Sequence, residues 1–449
     1  MRADASNIAV TSQAGLTAEL REERWERTSW HTLLFITAVF FLIDHHLDYT
    51  AGRSFDELGM AAEAAGAVEA GELRRQVAYL AFGLYGIVAW LRVPRFRLNV
   101  GGLVAVMLLA YLGWAVVSLA WSLNPMLTLR RLSSLGLLAL GISGMLRQHS
   151  GNSIVRLILF MTLSYLLIGV GAELALGNFT PWSSHYRFAG TVHPNVQGIN
   201  CATLVFSAVT LAATSKRIRK VLLAVAFGGL GFLVLTGSRT ALAAGLAGLS
   251  VFWMLKLRRS FAVITILVLS WVGLLNLLLV VNYLLPSPFG FLLRERVSTP
   301  GAGVLSGRAD LWAILIEYAR ERPILGYGYG AFFDLRRGLD MAARVGAWAF
   351  GGPHSIYLGS LVDLGAIGLA CLLGILFGGV LRGVRLYQHT LEPHYLLFTA
   401  LLVYQIFDGF ADAAMLSPNW HFVPGLAVAF LAFRSDRVGR RRRPGVTAP

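Results

Sequence analysis

Charge is scarce in this chain. Lys, Arg, Asp and Glu make up 14% of its 449 residues, where a soluble protein carries roughly 25%. With 56% apolar residues and a mean hydropathy of +0.63, that shortage excludes disorder as a global class. The apolar residues come in long blocks instead of short alternating runs, which also excludes a coiled coil. Cysteine is almost missing. Cys201 and Cys371 both fall in apolar runs, so neither a disulfide framework nor a thiolate metal site is expected. The sequence has no Walker loop, no HExxH, no GxSxG, no DxD metal–sugar signature and no evident short internal repeat. A metal is therefore not implied. Acidic residues are outnumbered, and the net charge is +15. The excess sits in short clusters between apolar blocks, which reads as membrane topology and not as a nucleic-acid surface.

What is present is a series of apolar segments of spanning length, which needs about 20 residues. They predict an all-α, polytopic membrane protein of about 12 transmembrane helices. The segments lie near 30–47, 75–91, 98–121, 130–146, 154–176, 197–214, 219–236, 239–255, 260–285, 355–381, 394–415 and 420–433. With the N-terminus placed in the cytoplasm, cytoplasmic segments hold 24 of the 39 Lys and Arg, and the short outer segments hold 7. The long outer loop carries the other 8 and counts little in this rule. The expected layout is a cytoplasmic tail (1–29), spans one to nine (30–285), a long outer loop (286–354), spans ten to twelve (355–433) and a basic cytoplasmic tail (434–449). Residues 1–29 are too long and polar for the start of a cleaved signal peptide, so the first span is expected to stay as an anchor. The long loop is no polar filler: Leu311, Trp312, Leu315, Ile316 and Tyr318 follow Gly307 in a helical pattern ending near Pro323. Long ordered loops are usually functional.

Under this topology four polar stretches share the outer face. They are Tyr186-Arg187-Phe188 with His193-Pro194-Asn195, Thr236-Gly-Ser-Arg239-Thr240, Ser306-Gly-Arg308-Ala-Asp310, and Pro353-His354-Ser355. His193, Arg239 and His354 precede or begin helices whose N-termini face outward, and Arg308 begins the loop helix. A helix N-terminus presents unpaired N–H groups and about half a positive charge. Arginine added there makes a site for an anion with several oxygens, such as a diphosphate. Histidine added there tends to stay neutral and able to accept a proton. That pairing suits transfer of a group off a diphosphate. Taken singly, each feature has a plainer meaning. An arginine at a span end is most often an interfacial anchor, and Thr-Gly-Ser before a helix is ordinary capping. Arg130 and Arg131 run against the charge trend, which favours lipid head-group contact. Glu173, Asp363 and Asp408 are costly within spans; Glu173 and Asp363 either line a cavity or bond to neighbouring helices. Gly326-Tyr-Gly-Tyr-Gly330 follows a helix without a nucleotide-binding context and reads as a turn.

Five segments carry a family resemblance: Arg187-Phe-Ala-Gly-Thr-Val-His-Pro-Asn195, Thr236-Gly-Ser-Arg-Thr-Ala-Leu242, Gly307-Arg-Ala-Asp-Leu-Trp312, Arg322-Pro-Ile-Leu-Gly-Tyr-Gly-Tyr-Gly330 and His354-Ser-Ile-Tyr-Leu-Gly-Ser-Leu-Val-Asp-Leu-Gly-Ala-Ile-Gly368. In that order, with a long loop before the histidine, the chain resembles the bacterial O-antigen ligase and Wzy-type polysaccharide polymerase superfamily over about residues 100–430. The resemblance implies a bacterial inner-membrane glycosyltransferase with both termini cytoplasmic and a periplasmic active site. Its donor would be a glycan on undecaprenyl diphosphate, and its acceptor another glycan or lipid A core. It implies neither metal nor nucleotide, no cofactor and no nucleic acid, with polysaccharide assembly proteins as conceivable partners. It gives essential roles to Arg239, Arg308 and His354 and matches Arg187 to a frequent polar position; together with Arg187, the residues His193, Asn195, Arg130 and Arg131 are expected to contact the substrate. In one departure Ser355 follows the histidine, where the family often has Asn.

Two other classes compete. A transporter or flippase would show repeated halves and broken helices with midplane charges. A non-catalytic scaffold of a polysaccharide assembly complex would leave the arginine–histidine set idle. The Gly307–Trp312 and Gly326–Gly330 stretches are closer to exopolysaccharide polymerases than to ligases.

Overall fold

A computed structural model of the protein describes residues 30–44, 72–92, 102–183, 186–256, 308–346 and 352–412. The expected spans at 260–285 and 420–433, most of the segment between the first two spans, the rest of the long loop and both tails lie outside the described residues. Helices take up 81% of the described residues, with no strands among them. In chain order they are α1 (Trp30–Asp44), α2 (Leu73–Arg92), α3 (Leu103–Val117, continued by a short 3-10 turn Ser118–Ala120), α4 (Pro125–Gln148), α5 (Gly151–Ala175) and α6 (Pro194–Thr214). Then come α7 (Arg219–Leu235), α8 (Arg239–Lys256), α9 (Arg308–Glu321), α10 (Leu335–Val345), α11 (Ile356–Thr390) and α12 (Pro393–Asp408).

Among the described residues, five helices are long and apolar enough to cross a membrane: α3 with its 3-10 turn, α4, α5, α6 and α11. Shorter apolar helices are α1 and the Arg239–Met254 part of α8. Large apolar side chains stand fully in the open on these surfaces, among them Phe227 and Trp253. A water-exposed protein avoids such patches; a lipid-facing one requires them.

Helix starts are capped from within, which matters where lipid offers no hydrogen bonds. The Asn124 side chain accepts from Leu127 N–H at 3.1 Å, ahead of Pro125 at the first helical position of α4. Ser150 caps α5, accepting from Ser153 N–H at 3.2 Å, and Ser355 caps α11. At the centre sits α6, packed by α5, α7, α8 and α12. Of its most apolar stretch 78% is buried, against 33% for α3, so α6 is a core helix and α3 a peripheral one.

The long apolar run after His354 is not one helix. At Gly365 the backbone turns to φ 66°, ψ −167°, and α11 breaks in two. The Gly326–Gly330 turn fills the break. Val362 and Asp363 carbonyls accept from Tyr327 and Gly328 N–H at 2.9 and 2.8 Å, and Ala366 N–H donates to Pro323 C=O at 2.8 Å. Trp114 Nε1 donates to Leu364 C=O at 3.0 Å. These four bonds give partners to backbone groups at the break, as membrane depth demands. No side chain fits at Gly365: a Cβ there would run into the Ile324 carbonyl. The turn read from the sequence is present, and its role is to plug a broken helix.

Candidate active site

Glu173, near the end of α5, is buried and organises the loop that follows. One of its oxygens accepts from Ala189 and Gly190 N–H at 2.9 and 2.7 Å. The other accepts from the Tyr186 hydroxyl. Of the two roles open for Glu173, the structure supports bonding within the fold. Strapped this way, the loop lies along the turn between α7 and α8. Phe188 N–H donates to Leu235 C=O at 2.8 Å. Arg187 donates from Nε to Thr236 C=O at 2.8 Å and from Nη2 to Asn195 Oδ1 at 2.9 Å. The first two motifs therefore form one surface. Arg239 begins α8 at its edge, and its side chain reaches solvent.

His193 is the N-cap of α6, its Nδ1 accepting from Asn195 N–H at 3.2 Å. The neutral ring consequently carries its proton on Nε2. Burial among the surrounding chain pushes its pKa down to about 4; charge interactions with Arg187, His354 and Arg308 push the same way, while Asp412 opposes them. The residue is nonetheless exposed. These interactions tie the two halves of the site together, because Arg308 and His354 come from a different part of the chain.

Arg308 opens α9. One turn on, Trp312 Nε1 donates to Pro353 C=O at 3.3 Å. Next to Pro353, His354 adopts φ 45°, a left-handed backbone unusual for a residue with a side chain. Beyond it, Ile356 N–H donates to Gly409 C=O at 2.9 Å, and the Tyr357 hydroxyl donates to Ile406 C=O at 2.7 Å. His354 is thereby seated against the end of α12, where Asp408 and Asp412 lie one turn apart, joined by Asp412 N–H to Asp408 C=O at 2.9 Å.

Of the residues singled out from the sequence, Arg187, His193, Asn195, Arg308 and His354 come together, with Arg239 on the adjoining helix start. Arg130 and Arg131 lie elsewhere, in the second turn of α4. Arg131 donates to the Gly330 carbonyl, and Asp363 accepts from Phe332 N–H at 3.3 Å. Both hold the plug of α11 in place. Asp412 was missed; its signal was an i, i+4 pair with Asp408 at a span end. Chemically, the cluster offers three arginines and four helix N-termini, those of α6, α8, α9 and α11, to an oxygen-rich anion. It also offers the imidazole of His354 to a proton, whereas His193 uses its unprotonated nitrogen as a cap.

No curated protein matches the chain. Residues 221–373 match the family model described as O-antigen ligase. The matched stretch contains Arg239, Arg308 and His354, while Arg187, His193, Asn195, Arg130 and Arg131 precede it. Four of the five motifs fall inside the match, so residues 221–373 are similar to the O-antigen ligase domain and support the resemblance to the O-antigen ligase and Wzy-type polysaccharide polymerase superfamily.

Proposed function

We propose that this protein is a membrane glycosyltransferase of the bacterial inner membrane, moving a glycan from undecaprenyl diphosphate to an acceptor sugar at the periplasmic face. The observation that carries the reading is the convergence of Arg187, Arg308 and His354 around His193, at one end of the bundle. The positive-inside tally of the sequence puts that end outside. The acceptor is favoured to be a second lipid-linked glycan, making the protein a polymerase; the Gly307–Trp312 and Gly326–Gly330 stretches support this over a ligase acting on lipid A core.

The reaction is an inverting displacement. A hydroxyl oxygen of the acceptor attacks the anomeric carbon, and the bond from that carbon to the diphosphate oxygen breaks. His354 takes the hydroxyl proton. Arg239 and Arg308 hold the diphosphate and stabilise the charge it gains as it leaves. Arg187 and Asn195, already hydrogen-bonded to each other, frame the donor side with His193. Side chains supply both the charge and the base, so the scheme has no metal step.

The broken α11 favours a second reading, transport, since carriers place substrate at such breaks. Here the backbone groups at the break are taken by the chain's own segment from Pro323 to Gly328, which argues against a cargo site there. Deleting the gene and separating surface glycans on a gel distinguishes the readings. A polymerase predicts loss of long chains with single units retained. Long chains present but unattached would make it a ligase, and loss of single units as well would favour transport.

A further inference from the structure

We infer that Trp312 is a positioning residue for His354, acting through the Pro353 carbonyl, and that it couples the placement of His354 to that of Arg308. The inference rests on the transferase reading above. Three observations lead to it. First, His354 holds a left-handed backbone at φ 45°, which for a residue with a Cβ persists only where the surroundings over-determine it. Second, the segment is pinned on both sides. Trp312 Nε1 holds the carbonyl just before His354 at 3.3 Å. Gly409 C=O holds the N–H of Ile356, two residues after it, at 2.9 Å. Third, Trp312 lies four residues after Arg308 on α9, so both project from the same side of that helix, one turn apart. Arg308 acts electrostatically on His193, as does His354.

One short rigid element therefore bears the arginine at its first turn and, at its second, the donor that fixes the histidine's backbone. Leu311 and Leu315 on α9 are fully buried, in a cluster with Val362 of the first half of α11. That packing keeps the helix from swinging away from the histidine. A shift of α9 would move Arg308 and release Pro353 together. The indole is thus more than packing: its single N–H joins the loop helix to the reacting end of α11.

The test separates the N–H from the ring. Phe keeps a ring and loses the donor. His and Gln each place a side-chain nitrogen at the same bond distance from Cα as the indole nitrogen. The full chain, purified and reconstituted in liposomes, is assayed with an undecaprenyl-diphosphate-linked glycan, and rates are normalised to monodisperse protein. Trp312→Phe is expected to lower kcat about ten- to hundredfold, the range a misplacement of about 1 Å produces. KM for the lipid-linked donor should stay within about twofold, since the diphosphate-holding arginines are untouched. Trp312→His and Trp312→Gln should retain more kcat than Trp312→Phe. If Phe equals or exceeds both, Trp312 acts by packing and the inference is wrong. His354→Ala, run alongside, tells this failure from a deeper one. An inactive His354→Ala beside a fully active Trp312→Phe removes the positioning role alone. A fully active His354→Ala removes the transferase reading with it.

Discussion

The imidazoles and guanidiniums that meet at His193 are what the account depends on at the residue scale. Replacing Arg239 or Arg308 by Ala should lower transfer by roughly 10²–10³-fold, the usual loss for a charge-stabilising donor. His354→Ala should cost about 10²–10⁴-fold. In each case the protein should still reach the membrane in normal amount, checked by quantitative blotting beside the rate assay. His193 behaves differently. Its pKa is lowered from 6.5 to about 4, so the folded protein keeps it neutral where the unfolded chain protonates it. By linkage, stability falls as pH drops from about 6.5 towards 4, because the unfolded chain binds the extra proton. His193→Asn, which can still cap α6, should flatten that dependence in thermal unfolding followed against pH. The groups acting on His193 are Arg187, His354, Arg308 and Asp412, and the first three oppose its protonation. Most of these residues were legible in the sequence, because glycine, arginine and histidine stand in ordered motifs. Asp412 was not, since it belongs to no motif and its one signal is the i, i+4 spacing from Asp408.

Elements were legible where hydropathy alone decides them and illegible where one backbone dihedral does. The loop helix after Gly307 and the turn at Gly326–Gly330 were both readable from spacing. The break in α11 was not, because apolar residues run on through Gly365 and a glycine in a membrane helix is unremarkable. Gly365→Ala should be among the most damaging single changes in the chain. It combines a positive φ with a collision against the Ile324 carbonyl. Strain of that kind costs about 1–3 kcal/mol before any overpacking is added, and should appear as a lower unfolding temperature in detergent and a drop in folded yield. Glu173 makes a comparable prediction for a different reason. Removing its carboxylate in Glu173→Ala leaves two buried N–H groups without their acceptor, at about 1–3 kcal/mol each. The strap bearing Arg187 and His193 should loosen with it, so transfer should fall along with stability.

For the whole molecule, the claim is that one end of the bundle is built for chemistry. The starts of α6, α8 and α11 and the ends of α5, α7 and α12 gather there, drawn together by the Phe188–Leu235, Arg187–Thr236 and Ile356–Gly409 hydrogen bonds. The opposite end holds the α11–α12 turn, where the start of α5 at Gly151 lies against His394. Sequence alone could not show this convergence, because the contributing residues are spread from Glu173 to Asp412. What it could supply was a side: the clustering of Lys and Arg predicts that the His193 end faces outward. Ser183, exposed at that end, and Glu392, exposed at the other, allow a check. A cysteine at Ser183 should react with a membrane-impermeant maleimide in spheroplasts, and one at Glu392 only after permeabilisation. Labelling of both from the outside would contradict the topology.

The most direct measurement is glycan transfer by the purified chain in liposomes, with an undecaprenyl-diphosphate-linked glycan as sole sugar source and no other protein present. The wild-type chain should lengthen the glycan and release undecaprenyl diphosphate in equal molar amount. His354→Ala, folded to the same extent, should do neither. Lengthening by His354→Ala at the wild-type rate, or no lengthening by the folded wild-type chain, would contradict the account.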